Sequence, residues 1–203
     1  MKKHIFFDYG RTVVKHPAEA DEIFRARGIT DAAQIRELQK SIFSMGNFLN
    51  RLDEESLPRE AYHDQLKKLL PPHLLGVALD AADYHIGELV ALPGMEALLQ
   101  RLKKDGFSLY ITSNMDALHS AQMPDVPITR YFDGMIFSAE LKIRKPHKAF
   151  FEAALTRFGV KAEEVLFIDD LPENVAGAAA CGIEGMIFGG DAHEAAAFIY
   201  QKR

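Results

Sequence analysis

The sequence predicts an α/β fold, in which a parallel sheet carries helices on both faces and a small all-helical domain follows the first strand. Short apolar runs alternate with helical patterns from Pro93 onward, which is typical of parallel strands joined by helices. The stretch from about Pro17 to Val90 instead reads as helices without a convincing strand. We therefore expect a core formed by 1–15 and 92–203 and a helical cap formed by 16–91.

Composition and charge limit the classes of partner. The chain has 203 residues and a formal net charge of −5, which argues against nucleic acid as a partner. No apolar run approaches the roughly 20 residues of a membrane span, and the run after Lys3 stops at Asp8, short of a signal peptide. Cys181 has no second cysteine with which to pair. We expect a cytoplasmic protein without a membrane partner, and the sequence leaves open whether it is a monomer or a homodimer.

The first predicted strand is short and apolar on both faces. Ile5, Phe6 and Phe7 follow one another without polar alternation, the pattern of a central strand covered on both sides. Asp8 then falls at the carboxyl end of the strand. In open α/β sheets this is the edge where ligands bind.

Helical patterns fill the insertion that follows. Apolar residues recur at helical spacing, and glycine or proline marks several of the ends. The predicted helices are Ala18–Arg27, Asp31–Met45, Pro58–Leu70 and Leu74–Val90. Met45–Arg51 breaks the pattern, and it either presents side chains to a ligand or forms an ordinary loop between helices.

Strands and helices alternate after the insertion. A helix is expected to begin at Pro93 and to end at Gly106. The further predicted strands are Phe107–Thr112, Gly134–Phe137, Val165–Asp169 and Met186–Phe188. The further predicted helices are Met115–Gln122, Pro146–Phe158, Pro172–Cys181 and Ala192–Tyr200.

Polar residues stand where several of these strands end. Asp8 ends the first strand, Ser113-Asn114 the second and Asp169-Asp170 the fourth, and Lys145 precedes a helix. Each alone is explained by a turn, a helix cap or a solvated charge. Together they describe one pocket, in which Asp8 and Asp170 offer the oxygen ligands that Mg²⁺ prefers. Lysine, hydroxyl and the helix N-terminus would hold phosphoryl oxygens.

The order of these residues resembles the four sequence motifs of the haloacid dehalogenase-like hydrolase superfamily, over about Ile5 to Gly182. The flanks agree as well: Leu-Pro-Gly precedes the second motif, Arg-Lys-Pro forms the third, and Ile-Asp-Asp-Leu-Pro-Glu-Asn-Val-Ala-Gly-Ala forms the fourth. The resemblance implies a Rossmann-like core, and the insertion looks like the family's helical cap.

The resemblance also implies a mechanism. In that family the first aspartate attacks phosphorus and forms an aspartyl-phosphate, which water then hydrolyses. Asp8 would accordingly be the nucleophile and a Mg²⁺ ligand. The backbone carbonyl of Gly10 and the carboxylate of Asp170 would be further metal ligands.

Other motif residues carry over as supporting groups. Ser113 and Asn114 would contact the phosphoryl group. Lys145 would balance the charge of Asp8 and the phosphate during catalysis. Asp169 would support the metal site from the second layer, and Asn174, where the family has a further acid, would act on the metal indirectly.

One departure from the family pattern matters more than the matches. The usual first motif has Asp, any residue, Asp, Gly, Thr, and its second aspartate is here Gly10. The lost side chain is the acid for the leaving group and the base for water, worth about 10²- to 10⁴-fold in rate. Glycine at this position also occurs in a branch resembling sugar-1-phosphate phosphatases and the phosphatase domain of some epoxide hydrolases. Weakly basic leaving groups need less protonation.

Three functions follow from this pattern. The first is a Mg²⁺-dependent phosphatase acting on a small phosphorylated metabolite such as a sugar 1-phosphate, with a preference for good leaving groups. The second is a 2-haloacid dehalogenase, which attacks carbon with the same aspartate and needs no metal. The third, motivated by Gly10, is a protein that binds a phosphorylated ligand with little or no turnover.

Overall fold

A five-stranded parallel sheet forms the centre of the protein. The computed structural model describes residues 2–15, 21–44, 59–82 and 86–202. The strands in these ranges are β1 His4–Phe7, β2 Ser108–Ser113, β3 Gly134–Phe137, β4 Val165–Asp169 and β5 Glu184–Ile187. Their order in the sheet is β3-β2-β1-β4-β5, and every neighbouring pair is parallel. The predicted α/β fold is confirmed.

Helices surround this sheet and fill the insertion. Those between β1 and β2 are α1 Asp21–Ala26, α2 Ala32–Ser44, α3 Arg59–Leu69, α4 Pro72–Ala82 and α5 Met95–Lys104. Those after β2 are α6 Ala117–Ser120, α7 Ser138–Leu141, α8 Lys148–Phe158, α9 Pro172–Ala179 and α10 Ala192–Gln201. Short 3-10 turns lie at Ile86–Glu88, Met123–Asp125, Pro127–Tyr131 and Ala162–Glu164. Among the described residues, no helix is both long and apolar enough to cross a membrane.

The two faces of β1 belong to two apolar clusters. Ile5 and Phe7 pack in one cluster with residues of α5, α10 and the insertion helices, whereas Phe6 packs in the other with residues of α8 and α9. All three side chains are fully buried. The absence of polar alternation in this strand therefore follows from helices that cover both faces of the sheet.

Two predicted helices have different bounds in the structure. The helix predicted over Leu74–Val90 is α4, Pro72–Ala82 in the structure, and Ile86–Glu88 is a 3-10 turn. The chain leaves the helix because Val90–Leu92 pairs with the segment after β1: Lys15 N–H donates to the Val90 carbonyl at 2.9 Å and Leu92 N–H to the Val13 carbonyl at 3.0 Å. The helix predicted over Met115–Gln122 is only Ala117–Ser120, since the Asp116 side chain caps it at its start.

The other bounds agree with the prediction to within a few residues. The strands Gly134–Phe137 and Val165–Asp169 have the predicted bounds, and β5 begins two residues earlier than predicted, at Glu184. The interrupted segment Met45–Arg51 lies outside the described residues.

A glycine on α9 brings that helix against the loop that carries Lys145. A Cβ atom at Gly177 would lie 2.3 Å from the Pro146 carbonyl oxygen and 2.9 Å from the Pro146 Cβ. Because backbone cannot yield as a flexible side chain does, only glycine fits here. The helix that follows the Asp169-Asp170 pair thus packs directly on the residue next to Lys145.

We predict that Gly177→Ala destabilises the protein, because the new methyl group overlaps the Pro146 backbone. Overpacking of this kind typically costs about 1–3 kcal/mol. The matched control is Gly76→Ala on α4, where a Cβ meets nothing within 4 Å; alanine there should stabilise by about 0.5–1 kcal/mol. Urea denaturation of the two variants measures both effects. Equal stability of the two variants would contradict the close approach.

Candidate active site

Acidic side chains from two neighbouring strands meet at the carboxyl edge of the sheet. Asp8 follows β1, and its N–H donates to the Ile168 carbonyl on β4 at 2.9 Å. Asp169 ends β4, and Asp170 follows it. Carboxylate oxygens of Asp8, Asp169 and Asp170 lie within 4.8 Å of one another. Strand pairing therefore brings together the acids that the sequence separates by about 160 positions.

Lys145 lies between two of these acids. Its Nζ donates to Asp8 Oδ1 and to Asp169 Oδ2, both at 2.7 Å, and its side chain is 1% exposed. Burial alone lowers the pKa of Lys145, but the two carboxylates outweigh this and raise it above its ordinary value. The ammonium group also lies 5.3 Å from the centre of the Phe167 ring. Lys145 is therefore a permanently charged bridge between β1 and β4.

The Asn114 side chain holds the backbone of Lys145. Its Oδ1 accepts from the Lys145 N–H at 2.9 Å, and its Nδ2 donates to the Lys145 carbonyl at 3.0 Å. This clamp was missed by sequence reasoning, which expected Asn114 only to contact the phosphoryl group. That contact stays a prediction. The Asn-after-Ser pattern gave no signal of a partner 31 residues away.

Asp169 is fully buried and its oxygens are already engaged. Besides Lys145, it accepts from the Leu171 N–H at 2.9 Å and from Asn174 Nδ2 at 3.0 and 3.1 Å. These contacts make Asp169 a support for Lys145, and the metal-binding roles of Asp8 and Asp170 stay predictions. Asn174 thus reaches the acidic cluster through Asp169, and its effect on a metal remains a prediction.

Asp8 and Asp170 are the acids of the cluster that solvent still reaches, with side chains 13% and 16% exposed. Burial raises the pKa of Asp8 to about 6, an effect that Lys145 opposes and Asp169 reinforces. Burial also raises the pKa of Asp170, with a further rise from Asp169 and a decrease from Arg11. Burial therefore disfavours the charged form of both carboxylates.

A hard divalent cation fits this donor set. Three carboxylates face the ammonium group of Lys145 and the guanidinium group of Arg11, which lies 3.8 Å from Asp170, so these described groups keep one negative charge in excess. Oxygen donors within a few ångströms of one another suit Mg²⁺, which binds one or two carboxylates and keeps other positions for water or phosphate. The carbonyl of Gly10, two residues after Asp8, stays a predicted third ligand.

The remaining motif residues lie in the same region. Ser113 is the last residue of β2, next to β1, and is 4% exposed. The backbone after Asp8 turns sharply, with the Tyr9 carbonyl accepting from the N–H groups of Val13 and Val14 at 2.8 and 3.0 Å. Ser113 contact with a phosphoryl group remains a prediction.

Arg11 stands in the left-handed backbone region, with φ of 58°. This conformation is uncommon for any residue with a Cβ atom. The usual first motif has glycine here, a residue that adopts this conformation without strain. Arg11 Nη1 lies 3.8 Å from Asp170 Oδ2. Sequence reasoning left the direction of this side chain open.

The sequence of this chain is similar to those of known hydrolases. A family model described as haloacid dehalogenase-like hydrolase matches residues 2–182. A sesquiterpene phosphatase of Aspergillus oryzae is 36% identical over 93 residues, 45% of this chain and 47% of that protein. An (S)-2-haloacid dehalogenase of Burkholderia cepacia is 26% identical over 189 residues, 88% of this chain and 78% of that protein.

A solved structure agrees over almost the whole chain. It is a crystal structure of a HAD family enzyme of Bacteroides thetaiotaomicron, an aspartate-to-alanine mutant in complex with magnesium and inorganic phosphate. The TM-score is 0.67 at 19% identity, over 94% of this chain and 95% of that chain. At this identity the likeness concerns the fold.

The chain spans less than half the length of the first curated relatives that it matches. The names of those relatives give different substrates. Similarity alone therefore does not identify the reaction of this chain. The family model, by contrast, covers strands β1 to β4, the insertion and all four motif segments. The chain belongs to the haloacid dehalogenase-like hydrolase family.

Proposed function

We propose that this protein is a Mg²⁺-dependent phosphatase that hydrolyses a small phosphorylated metabolite through an aspartyl-phosphate. The observation that carries the proposal is the excess of negative charge around Asp8. Three carboxylates, set against the ammonium group of Lys145 and the guanidinium group of Arg11, leave these described groups with a net negative charge that a bound cation would balance. A metal-bound phosphate is the substrate group that such a site accommodates.

Each residue has a proposed task. Mg²⁺ would be held by the carboxylates of Asp8 and Asp170 and the carbonyl of Gly10, and when bound it neutralises phosphoryl charge. Ser113 would donate to a phosphoryl oxygen. Lys145 would offset the charge of Asp8 as the phosphate approaches, fixed in place by Asn114.

The chemistry proceeds in two displacements. A carboxylate oxygen of Asp8 attacks phosphorus, forming an O–P bond while the bond from phosphorus to the leaving-group oxygen breaks. Water then attacks phosphorus, the Asp8 O–P bond breaks, and inorganic phosphate leaves. The leaving group takes its proton from solvent, because Gly10 offers no carboxyl group. We therefore propose substrates with weakly basic leaving groups, such as sugar 1-phosphates.

The helices of the insertion are the proposed cap. We propose a core formed by 1–15 and 92–203 and a cap formed by 16–91. The chain would then pass from core to cap after Lys15 and return after Ala91. Val14 pairs with Ala91 as an isolated antiparallel bridge at this point. We propose that the protein acts in the cytoplasm on a soluble small molecule.

A dehalogenase is the second candidate, favoured by the likeness to the Burkholderia cepacia enzyme over 88% of this chain. Attack on the carbon of a 2-haloacid by Asp8 needs neither a metal nor Asp170. The clustering of Asp170 with Asp8 and Asp169 has no task in that reaction. We therefore rank phosphate hydrolysis first.

We predict that Asp8→Asn abolishes Mg²⁺-dependent phosphate release, since the amide is a poor nucleophile. The expected loss in kcat is on the order of 10⁴-fold or more. Phosphate release from 4-nitrophenyl phosphate and glucose 1-phosphate, with Mg²⁺ or with EDTA, measures it. Asp125→Asn, an exposed acid away from the cluster, is the matched control.

The same preparations distinguish the candidates. Phosphate release that needs Mg²⁺ and Asp8 supports the phosphatase. Halide release from (S)-2-chloropropionate in EDTA, without phosphate release, would instead support the dehalogenase. Full phosphatase activity in Asp8→Asn would refute the assigned nucleophile.

We predict that Asp170→Asn raises the Mg²⁺ concentration needed for half-maximal activity by about 10-fold or more, the typical effect of weakening a metal site. Titration of activity with Mg²⁺ measures this shift. Saturating Mg²⁺ should restore much of the rate, because the nucleophile is intact. A loss that no Mg²⁺ concentration relieves would contradict a metal-binding role for Asp170.

We predict that Gly10→Asp helps poor leaving groups more than good ones, because it supplies the missing proton donor. The ratio of kcat/KM for ethyl phosphate to that for 4-nitrophenyl phosphate should rise by about 10-fold or more. Comparing the ratio, rather than either rate, removes any general effect of the substitution. A uniform loss for both substrates would count against the leaving-group explanation.

A further inference from the structure

The turn that leaves β1 holds an arginine in a backbone conformation that suits glycine. Arg11 lies in the left-handed region, with φ of 58°, which a residue with a Cβ atom rarely adopts. Its N–H donates to the Val14 carbonyl at 2.8 Å, and Gly10 pairs with Val14 as an isolated bridge. The backbone of the turn is thus fixed by its own pairing. A side chain kept in such a conformation at the edge of a candidate site indicates that the side chain has a task there.

The guanidinium group of Arg11 faces an acid that follows the neighbouring strand β4. Its Nη1 lies 3.8 Å from Asp170 Oδ2, which is too long for a hydrogen bond but close enough for an ion pair. The charge of Arg11 opposes the rise in the pKa of Asp170 that burial and Asp169 produce. Arg11 is therefore a loose counter-cation to one of the two predicted carboxylate ligands of Mg²⁺.

A cavity beside this ion pair gives the Arg11 side chain room to move. Its volume is about 320 Å³, and its lining includes Arg11, Lys15, Asp170 and Phe188. The Arg11 side chain is 32% exposed, so it is not packed on all sides. The guanidinium group can therefore shift relative to Asp170 while the backbone of the turn stays in place.

A positive charge at this distance acts on any cation that Asp170 binds. Two unit charges about 4 Å apart change a binding constant by roughly 5-fold in water, and by more in a partly buried site. Arg11 would lie close to a Mg²⁺ ion held by Asp170, so it either repels that ion or moves aside. Arg11 makes a further interaction in the structure. The direction of the effect does not depend on it, because Asp170 loses a nearby positive charge whenever a neutral residue replaces the arginine.

We propose that Arg11 lowers the affinity of Asp8 and Asp170 for Mg²⁺ by acting as an internal counter-cation of Asp170. In the metal-free protein the guanidinium group offsets part of the charge of the acidic cluster, and Mg²⁺ binds against its repulsion. Metal occupancy then responds to higher Mg²⁺ concentrations than the three acids and Lys145 alone would require. The inference rests on the metal site of the proposed function and concerns the regulation of that site.

The test measures Mg²⁺ binding directly. Protein freed of metal with EDTA and then dialysed is titrated with MgCl₂ in a calorimeter, without phosphate or substrate. Arg11→Gly and Arg11→Asn both remove the charge, and both replacements tolerate the left-handed region. Each should lower the Kd for Mg²⁺ by about 5- to 10-fold. Tighter binding is a result that damage to the fold would not produce.

Two further variants are the controls. Arg11→Lys keeps a positive charge, and its Kd should stay close to the wild-type value. Lys104→Met removes an exposed charge at the end of α5, before β2, and should leave the Kd unchanged. An unchanged or higher Kd in both neutral Arg11 variants would overturn the proposal. A decrease in Arg11→Gly alone would assign the effect to the backbone, and an equal decrease in Lys104→Met would assign it to net charge; either result would also overturn it.

Thermal unfolding gives an independent readout. A ligand that binds only the folded state raises the Tm more when its Kd is lower. At one fixed MgCl₂ concentration, the rise in Tm above the value in EDTA should therefore be larger in Arg11→Gly and Arg11→Asn than in the wild-type protein. Equal rises in all three proteins would contradict the proposal.

Neither measurement uses turnover, so this inference and the proposed function can fail separately. Tighter Mg²⁺ binding in the neutral variants, without phosphate release from any ester, would support the counter-cation and count against the phosphatase. Mg²⁺-dependent phosphate release with the same Kd in all variants would overturn the counter-cation and leave the phosphatase proposal standing. Absence of Mg²⁺ binding in every protein would overturn the counter-cation.

Discussion

The buried ammonium group of Lys145 is the interaction on which the site depends. It joins Asp8, 137 positions away along the chain, to Asp169 on the neighbouring strand, with two contacts of 2.7 Å. Taking a lysine out of water is costly, and two carboxylates offset that cost only if they stay in place. Asn174 and the Leu171 N–H hold Asp169 in place, and Asn114 holds the backbone of Lys145. A network with every member hydrogen-bonded is rigid, which is what a nucleophile requires.

The same network leaves a charge imbalance that a purely structural cluster would avoid. One carboxylate would neutralise Lys145 and a second accepts its other hydrogen bond, but Asp170 adds a third, which Arg11 faces at 3.8 Å. Its pKa and that of Asp8 lie above their ordinary values, because burial disfavours their charged forms. Acidic groups held in this state are typical of sites that bind metal ions or perform chemistry.

Arg11 lies beside this acidic cluster, next to Asp170. Its guanidinium group lies near Asp170 without replacing a metal, since the 3.8 Å separation is a loose ion pair. The family's relatives include enzymes named for reactions at phosphorus and at carbon, so the common fold and nucleophile position do not by themselves fix the reaction. In this chain the clustering of Asp170 with Asp8 and Asp169 is the feature that supports the proposed reaction at phosphorus.

The sequence by itself determined the alternation of strands and helices, the buried character of Ile5–Phe7 and the positions of Asp8, Lys145 and Asp169-Asp170 at strand ends and before a helix. These features depend on local patterns of apolar residues and on motif spacing, which a single chain displays directly. The tertiary structure alone decided that Val90–Leu92 leaves its helix to pair beside the first strand, that Asn114 clamps Lys145, and that Arg11 faces Asp170. Each of these depends on contacts between segments far apart in the chain, and local sequence carries no signal for a partner brought near only by folding.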